Sequence, residues 1–460
     1  MKKVEPKSLY FVGIKGIAMA GVAVMAKTLG YDVKGSDEST VFPNDSLLHD
    51  HGIEIFEGFD GANLKYKPDL VIVSAAYGLQ NPEVKAAKSL RLTTIPMSEM
   101  LAKIMSKYEG VGVAGVHGKT TTTAMLAKIL SDAGYSPSYM IGTDRIDGLP
   151  GSAHIGGGKY FVAEADEYKK SETNHQPKFL DLPIKHLIIT SIELDHPDVY
   201  ATAEQVYSAF YQLTTKIPRD GTIVACVDWP LVRRLANRRV DRNCLTYGFD
   251  ATARYQIVTE ATGFSIKVDD QVIGPINLAM PGRHNMLNAT AAIIMAMQLG
   301  VTKEPIIKTL ESFKGPSRRF QRLGDVNGAH VYDDYAHHPT ALNFLLETAK
   351  KQFPKKRLVV VFQPHTYSRT GKLLKEFAEA LRGADKLILL NIWASSREKS
   401  GYVTIKDLID EVRKYKPDVE YRSTVDEVAV YLTSFLTDKD VVFLVGAGDV
   451  YKVFDKITGR

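Results

Sequence analysis

Gly112-Val113-Ala114-Gly115-Val116-His117-Gly118-Lys119-Thr120-Thr121-Thr122-Thr123 joins an apolar run to an apolar-periodic one through a glycine-rich turn. The apolar run Val111 to Val116 predicts a buried strand, and the apolar-periodic stretch Thr121 to Ala133 predicts a helix. Between them lie two glycines, a lysine and a threonine. Glycines let backbone N–H groups approach phosphate oxygens, and a helix N-terminus adds a favourable partial charge. In that frame Lys119 reaches the terminal phosphates and the Thr120 hydroxyl faces a Mg²⁺ ion. Only Val116 and His117 separate Gly115 from Gly118, a shorter spacing than in the general P-loop. A Gly-rich turn with a surface lysine is the plainer reading. Strand, turn, Gly-Lys-Thr and helix nevertheless follow one another in the order that a phosphate cradle needs.

Downstream of the cradle, an apolar strand Tyr160 to Ala163 ends in Glu164-Ala165-Asp166-Glu167, and another, His186 to Thr190, leads to Ser191-Ile192-Glu193-Leu194-Asp195-His196. In a parallel sheet both clusters lie at carboxyl ends of strands, beside the phosphate loop. Mg²⁺ takes few protein ligands beside phosphate oxygens and waters, and Glu164 and His196 are the candidates. Arg254 to Ile273 alternates and is β-branched, which predicts a small antiparallel patch. Pro281-Gly282-Arg283-His284-Asn285-Met286-Leu287-Asn288 precedes a helix expected from Ala289 to Leu299. Its amides and imidazole either cap that helix or meet a nucleotide base.

Upstream, strands expected at Leu9–Ile14, 31–34, 53–56, 70–74 and 93–95 alternate with helices, the pattern of a parallel, doubly wound sheet. The first turn, Gly13-Ile14-Lys15-Gly16-Ile17-Ala18-Met19-Ala20-Gly21, lacks the middle glycine of the dinucleotide fingerprint, and Lys15 stands there. Asp37 follows about 20 residues later, as in dinucleotide folds. The turn argues for a diphosphate ligand more than for a nicotinamide. Lys15 is either a phosphate partner or an exposed lysine on a tight turn. The third segment, from Ser317, carries Ser317-Arg318-Arg319-Phe320, the titratable run Val331 to Pro339, and strands at 358–362, 386–390 and 441–445 with helices between. It reads as a second doubly wound α/β domain.

The 460 residues exceed one ordinary core, so about three domains are expected. A net charge of +5 is small for this length and shows no basic stripe with interleaved aromatics, so no nucleic-acid partner is expected. Cys226 and Cys244 lack metal-ligand or redox spacing. Neither a signal peptide nor a membrane span is read, and a cytoplasmic protein, monomeric or weakly dimeric, is expected.

These motifs together resemble the Mur ligases of peptidoglycan precursor synthesis, over nearly the whole chain. The resemblance is carried by Gly115-x-His117-Gly118-Lys119-Thr120, Glu164-Ala165-Asp166-Glu167, Asp195-His196, Gly282-Arg283-His284-Asn285-x-x-Asn288, Arg318-Arg319-Phe320, Asp333-Asp334-Tyr335-x-His337-His338-Pro339 and Phe362-Gln363-Pro364-His365-Thr366-Tyr367-Ser368-Arg369-Thr370. It implies three α/β domains: a Rossmann-like one over 1–107 holding the UDP end of the substrate, a central P-loop-like one over 108–316 holding ATP, and a Rossmann-like one over 317–460 closing over both. It implies an ATP- and Mg²⁺-dependent amide ligase working through an acyl phosphate, with UDP-N-acetylmuramate and L-alanine as substrates.

By the resemblance Thr120, Glu164 and His196 hold metal, and Lys119 and Arg319 meet the transferring phosphoryl group. Gly115, His117, Gly118, Thr121, His284, Asn285, Asn288 and Asp334 surround the rest of ATP. Gly13, Lys15, Gly16, Ile17, Ser36, Asp37 and Ser74 serve the UDP end. Tyr335, His338 and Arg369 receive the amino acid. Tyr168-Lys169-Lys170 and an extra segment near Lys178-Phe179-Leu180-Asp181-Leu182 look more like the branch that attaches a preformed L-Ala-γ-D-Glu-diaminopimelate tripeptide. A catalytically silent nucleotide-binding regulator is the alternative of another class.

Overall fold

Aliphatic runs separated by helical segments form parallel strands that are buried on both faces. A computed structural model describes residues 6–459 apart from 41, 43, 172, 240, 395–397 and 399. The chain divides into two units. The first comprises Met1–Leu194, Val199–Ala279 and Met286–Pro316, and the second Asp195–Asp198, Met280–Asn285 and Ser317–Arg460.

Among the described residues, the first unit contains two sheets. Strands β1 (Ser8–Val12), β2 (Asp32–Asp37), β3 (Glu54–Glu57), β4 (Leu70–Val73) and β5 (Thr94–Pro96) are all parallel, in the order β3-β2-β1-β4-β5. Alternate residues of β1 enter different cores, Leu9 and Phe11 on one face and Tyr10 and Val12 on the other. Strand order reverses at β1 and β4, where ligands of such sheets bind.

The second sheet has the order β15-β14-β13-β12-β11-β10-β6-β9-β7-β8, from β6 (Glu109–Ala114), β7 (Ser138–Met140), β8 (Ala153–His154), β9 (Tyr160–Ala165), β10 (Ile184–Ile189), β11 (Thr222–Cys226), β12 (Asn243–Gly248), β13 (Tyr255–Thr259), β14 (Phe264–Val268) and β15 (Gln271–Ile276). The expected antiparallel patch is β13–β15, and it extends the main sheet at one edge. The helix Lys119–Asp132 opens with four threonines, which are weak helix formers. Burial of all four and a hydrogen bond from Thr123 Oγ1 to Lys119 O (2.8 Å) hold them there.

The second unit has one sheet, β16 (Gln321–Val326), β17 (Ala329–Asp334), β18 (Arg357–Phe362), β19 (Lys386–Leu389), β20 (Glu420–Tyr421) and β21 (Asp440–Val445), in the order β16-β17-β21-β18-β19-β20. Leu358, Val360 and Phe362 face a core shared with the helix Pro339–Gln352, whereas Val359 and Val361 face one shared with the helix Val425–Phe435. Helices therefore cover both faces, as in a doubly wound domain. The antiparallel pair β16–β17 was not expected. It turns at Asn327-Gly328, both with positive φ, a hairpin signal of high specificity.

Some boundaries differ from expectation, β2 among them, which runs Asp32–Asp37 rather than 31–34. The helix expected from Ala289 begins at Arg283, so Asn285 and Asn288 lie inside it. A separate helix, Tyr367–Lys372, precedes Leu374–Leu381. Among the described residues no helix is long and apolar enough to cross a membrane.

Candidate functional site

The phosphate cradle is built by backbone that only glycine tolerates. After β6 the chain turns through Gly115 (φ 142°) and Gly118 (φ 81°), and Gly118 caps the helix Lys119–Asp132. A Cβ on Gly115 would lie 2.0 Å from Thr190 Oγ1, and one on Gly118 would lie 2.3 Å from Asn288 Oδ1. The residues after β10 wall the loop. Thr190 Oγ1 donates to Ala114 O (3.1 Å) and His117 O (2.5 Å), and His117 N donates to Ser191 Oγ (2.8 Å). The His117 ring pairs with Glu193.

Lys119 Nζ donates to Gly115 O at 2.6 Å and to both carboxylate oxygens of Glu167 at 3.0 and 2.9 Å. Burial opposes its charge, but Glu167, Asp166 and Glu164 outweigh that and hold its pKa above the ordinary lysine value. The ammonium is therefore fixed and charged beside the loop. Thr120 and Thr121 are buried in the first helical turn. Glu164 lies in β9, paired with Val113 of β6, and accepts from Gly142 N at 2.5 Å. A hydroxyl and a carboxylate at the ends of adjacent elements are the hard oxygen donors that Mg²⁺ prefers. The residues of this unit thus fit a metal–triphosphate. Asn288 accepts from Thr122 Oγ1 at 3.3 Å.

The second cluster lies at the end of β1. Gly13 has φ 83°, and its N–H and that of Ile14 donate to Ser36 O at 2.9 and 3.0 Å. Lys15 N donates to Asp37 Oδ2 at 2.7 Å. Gly16 caps the helix Ile17–Thr28, and Ile17 is exposed at its start. Lys15 is neither an exposed lysine nor one open to a phosphate, because its side chain is only 2% exposed. Its Nζ donates to Glu57 Oε1 (3.0 Å) and to the carbonyls of Glu38 and Thr40 (3.1 Å each), with Asp45 at 3.5 Å. Burial opposes that charge, and Glu57 and Asp45 more than restore it. Lys15 therefore staples the segment after β2 to the turn. Ser36 Oγ donates to the buried Glu83, which also accepts from Tyr10 OH and Asn63 Nδ2 at 2.8 Å each. Ser74 follows β4, and its N–H donates to Val12 O at 3.1 Å.

The second unit gathers a further set. Arg318 (φ 61°) and Phe320 (φ 51°) flank Arg319, and the Tyr335 ring lies 5.0 Å from each of the two guanidinium groups. Arg318 is engaged by Asp333 (3.0 Å) and by Gly446 O (2.7 Å). Asp334, at the end of β17, accepts from Phe320 N (2.8 Å) and Ala336 N (2.9 Å), and burial pushes its carboxyl above the ordinary range. Arg369, expected to receive the amino acid, holds a carboxylate of the chain itself in this structure. Its Nε lies 2.8 Å from Asp195 Oδ1, and both side chains are buried. His196 has φ 52° and donates its N–H to Asp195 Oδ1 at 2.7 Å. Burial works against the Asp195 charge, but His196, Arg369 and His338 hold its carboxyl well below the ordinary range. Burial, then Arg369, push the His337 imidazole down, which keeps it neutral. His338 caps the helix Pro339–Gln352. His284 packs beside Phe344 with ring centroids 5.7 Å apart, and Asn285 Nδ2 donates to Pro281 O at 2.7 Å.

The site residues named from the sequence omit several that hold the others. Glu167 fixes Lys119, Glu193 pairs with His117, Thr190 and Ser191 line the loop, and Asp195 anchors Arg369. Their common signal is position at or just beyond the carboxyl ends of β9 and β10.

Three family descriptions match the chain in tandem: "Mur ligase family, catalytic domain" over residues 8–109, "Mur ligase middle domain" over 113–296, and "Mur ligase, glutamate ligase domain" over 318–448. The chain is 36% identical over 455 residues to a UDP-N-acetylmuramate–L-alanine ligase of Desulfitobacterium hafniense, covering 97% of this chain and 98% of that protein. It is 39% identical to the protein of the same name from a Geobacter species, covering 97% and 95%. The crystal structure of the UDP-N-acetylmuramate–alanine ligase of Thermotoga maritima superposes with a TM-score of 0.81 at 28% identity, covering 98% of each chain. That of a murein peptide ligase of Psychrobacter arcticus gives 0.77 at 26%, also covering 98% of each.

Proposed function

The chain belongs to the Mur ligase family, and from that premise we propose that it joins L-alanine to UDP-N-acetylmuramate in the cytoplasm, converting ATP to ADP and phosphate. The observation that carries the reading is the cradle, in which Lys119 is held charged by Glu167 beside two glycines that admit no side chain. A carboxylate oxygen of the muramate attacks the γ-phosphorus and ADP departs, leaving an acyl phosphate. The alanine nitrogen attacks the acyl carbon, loses a proton, and phosphate leaves as the amide forms.

Lys119 neutralises charge gathering on the transferred phosphoryl group, and Arg319 does the same. Thr120, Glu164 and His196 would hold Mg²⁺, which supplies Lewis-acid stabilisation of phosphate oxygens. The backbone N–H groups of the Gly115–Gly118 loop orient the phosphates. ADP release that requires both UDP-N-acetylmuramate and an amine tests the proposal, and ADP release indifferent to both contradicts it.

One observation favours a different acceptor in the same chemistry. The segment Lys178–Asp181 forms a 3₁₀ turn, and Lys178 reaches Asp166 Oδ2 at 3.0 Å, next to Glu167. The extra residues of this segment, read in the sequence, are what resemble the tripeptide-attaching branch. A tripeptide amine in place of alanine is therefore the second reading.

A further inference from the structure

Three strand ends meet where the first sheet reverses its order: Gly13 after β1, Asp37 closing β2, and Ser74 after β4. A sheet of this topology binds its ligand in the crevice at that reversal. Tyr77, from the loop after β4, occupies that place. A Cβ on Gly13 would lie 2.5 Å from Tyr77 Cε2 and 2.8 Å from Cδ2, so the ring edge rests on bare backbone. Tyr77 OH donates to Asp37 Oδ1 at 3.1 Å. Phe59 packs beside it, with ring centroids 4.6 Å apart at 59°.

The ring is thus fixed by a glycine, a carboxylate and a second aromatic, yet it and Phe59 remain part-exposed. An aromatic whose only role is to fill a core is usually covered. Both rings also pack against the core that holds Tyr10 and Val12. A fixed, part-exposed aromatic ring at a nucleotide crevice is suited to stacking on a base. We infer that Tyr77 is a binding residue for the pyrimidine base of the nucleotide-sugar substrate. Its ring face takes the base, and Asp37 sets the ring's angle through the phenol. The inference rests on the proposed UDP-N-acetylmuramate reading and adds a residue that the sequence motifs do not mark.

Titration calorimetry on the full chain, with UDP-N-acetylmuramate and separately with ATP, tests it. Tyr77→Leu should weaken UDP-N-acetylmuramate binding about tenfold or more. Tyr77→Phe keeps the ring and loses only the phenol's hydrogen bond to the Asp37 carboxylate, so it should weaken UDP-N-acetylmuramate binding less than Tyr77→Leu does. ATP affinity should be unchanged in both. Wild-type affinity for UDP-N-acetylmuramate in Tyr77→Leu overturns the inference alone. Equal loss of ATP and UDP-N-acetylmuramate affinity marks a structural role and also overturns it. A wild-type chain that binds ATP but not UDP-N-acetylmuramate overturns the substrate reading and the inference with it.

Discussion

Lys119 Nζ sits 2.9 Å from the Glu167 carboxylate, and Glu167 is 1% exposed. The pair sets the lysine's position before any phosphate arrives, and it also makes each partner dependent on the other. Lys119→Met should lower kcat by about 10²–10³-fold, the usual loss for one preorganised charge donor. It should also destabilise the fold by about 3–5 kcal/mol, the usual cost of removing one partner of a buried ion pair. The double variant Lys119→Met/Glu167→Gln should recover stability but not turnover. Thermal unfolding and steady-state ADP formation, measured on all three proteins, check both parts.

Gly118→Ala tests the cradle without touching a charge. The residue has φ 81°, and a Cβ would meet Asn288 Oδ1 at 2.3 Å. The loop must shift, so ATP affinity should fall at least about tenfold while UDP-N-acetylmuramate affinity stays unchanged. Calorimetry with each ligand reads the difference.

The pH response of the second unit has a defined sign. Asp440 is buried and accepts from Arg357 Nε (2.6 Å), Arg357 Nη2 (3.1 Å) and Thr437 N (2.8 Å). Burial opposes its charge, but Arg357 and Thr437 outweigh it and hold the carboxyl below the usual range. A carboxyl lowered in the folded state stabilises the fold above its unfolded pKa, about 4, and loses that contribution as pH falls toward the folded value. Stability should therefore drop as pH falls below about 4. Asp440→Asn should be about 1–3 kcal/mol less stable at neutral pH and should show a flatter acid limb. Denaturant titrations across the pH series give both quantities.

The parts of the site that the sequence revealed are those whose meaning lies in adjacent residues. Strand, Gly115, Gly118, Lys119 and helix follow one another within one stretch, so their geometry follows from local chemistry. Lys15 was ambiguous because its partners Glu57 and Asp45 come from later elements, and nothing local announces that an ammonium will be buried. Arg369 has a residue type suited to the carboxylate of the amino acid it is expected to receive. Asp195, 174 positions earlier, fills the role in this structure. The hairpin β16–β17 was missed although Asn327-Gly328 is a strong turn signal, because Gly324 interrupts the alternation that would have marked β16.

Glu164 offers a test of the metal. Chelation of divalent cations should abolish ADP formation, and restored Mg²⁺ should recover it. Glu164→Gln should raise the Mg²⁺ concentration needed for half-maximal rate by at least about tenfold, since even an outer-shell partner is worth that much. Activity that survives chelation would remove Mg²⁺ from the account.

Phosphate release from ATP and Mg²⁺ with UDP-N-acetylmuramate, measured with L-alanine and with the L-Ala-γ-D-Glu-diaminopimelate tripeptide as the amine, decides which bond the enzyme makes. Release that depends on L-alanine is expected. Release with the tripeptide alone, or with neither amine, would contradict the proposed function.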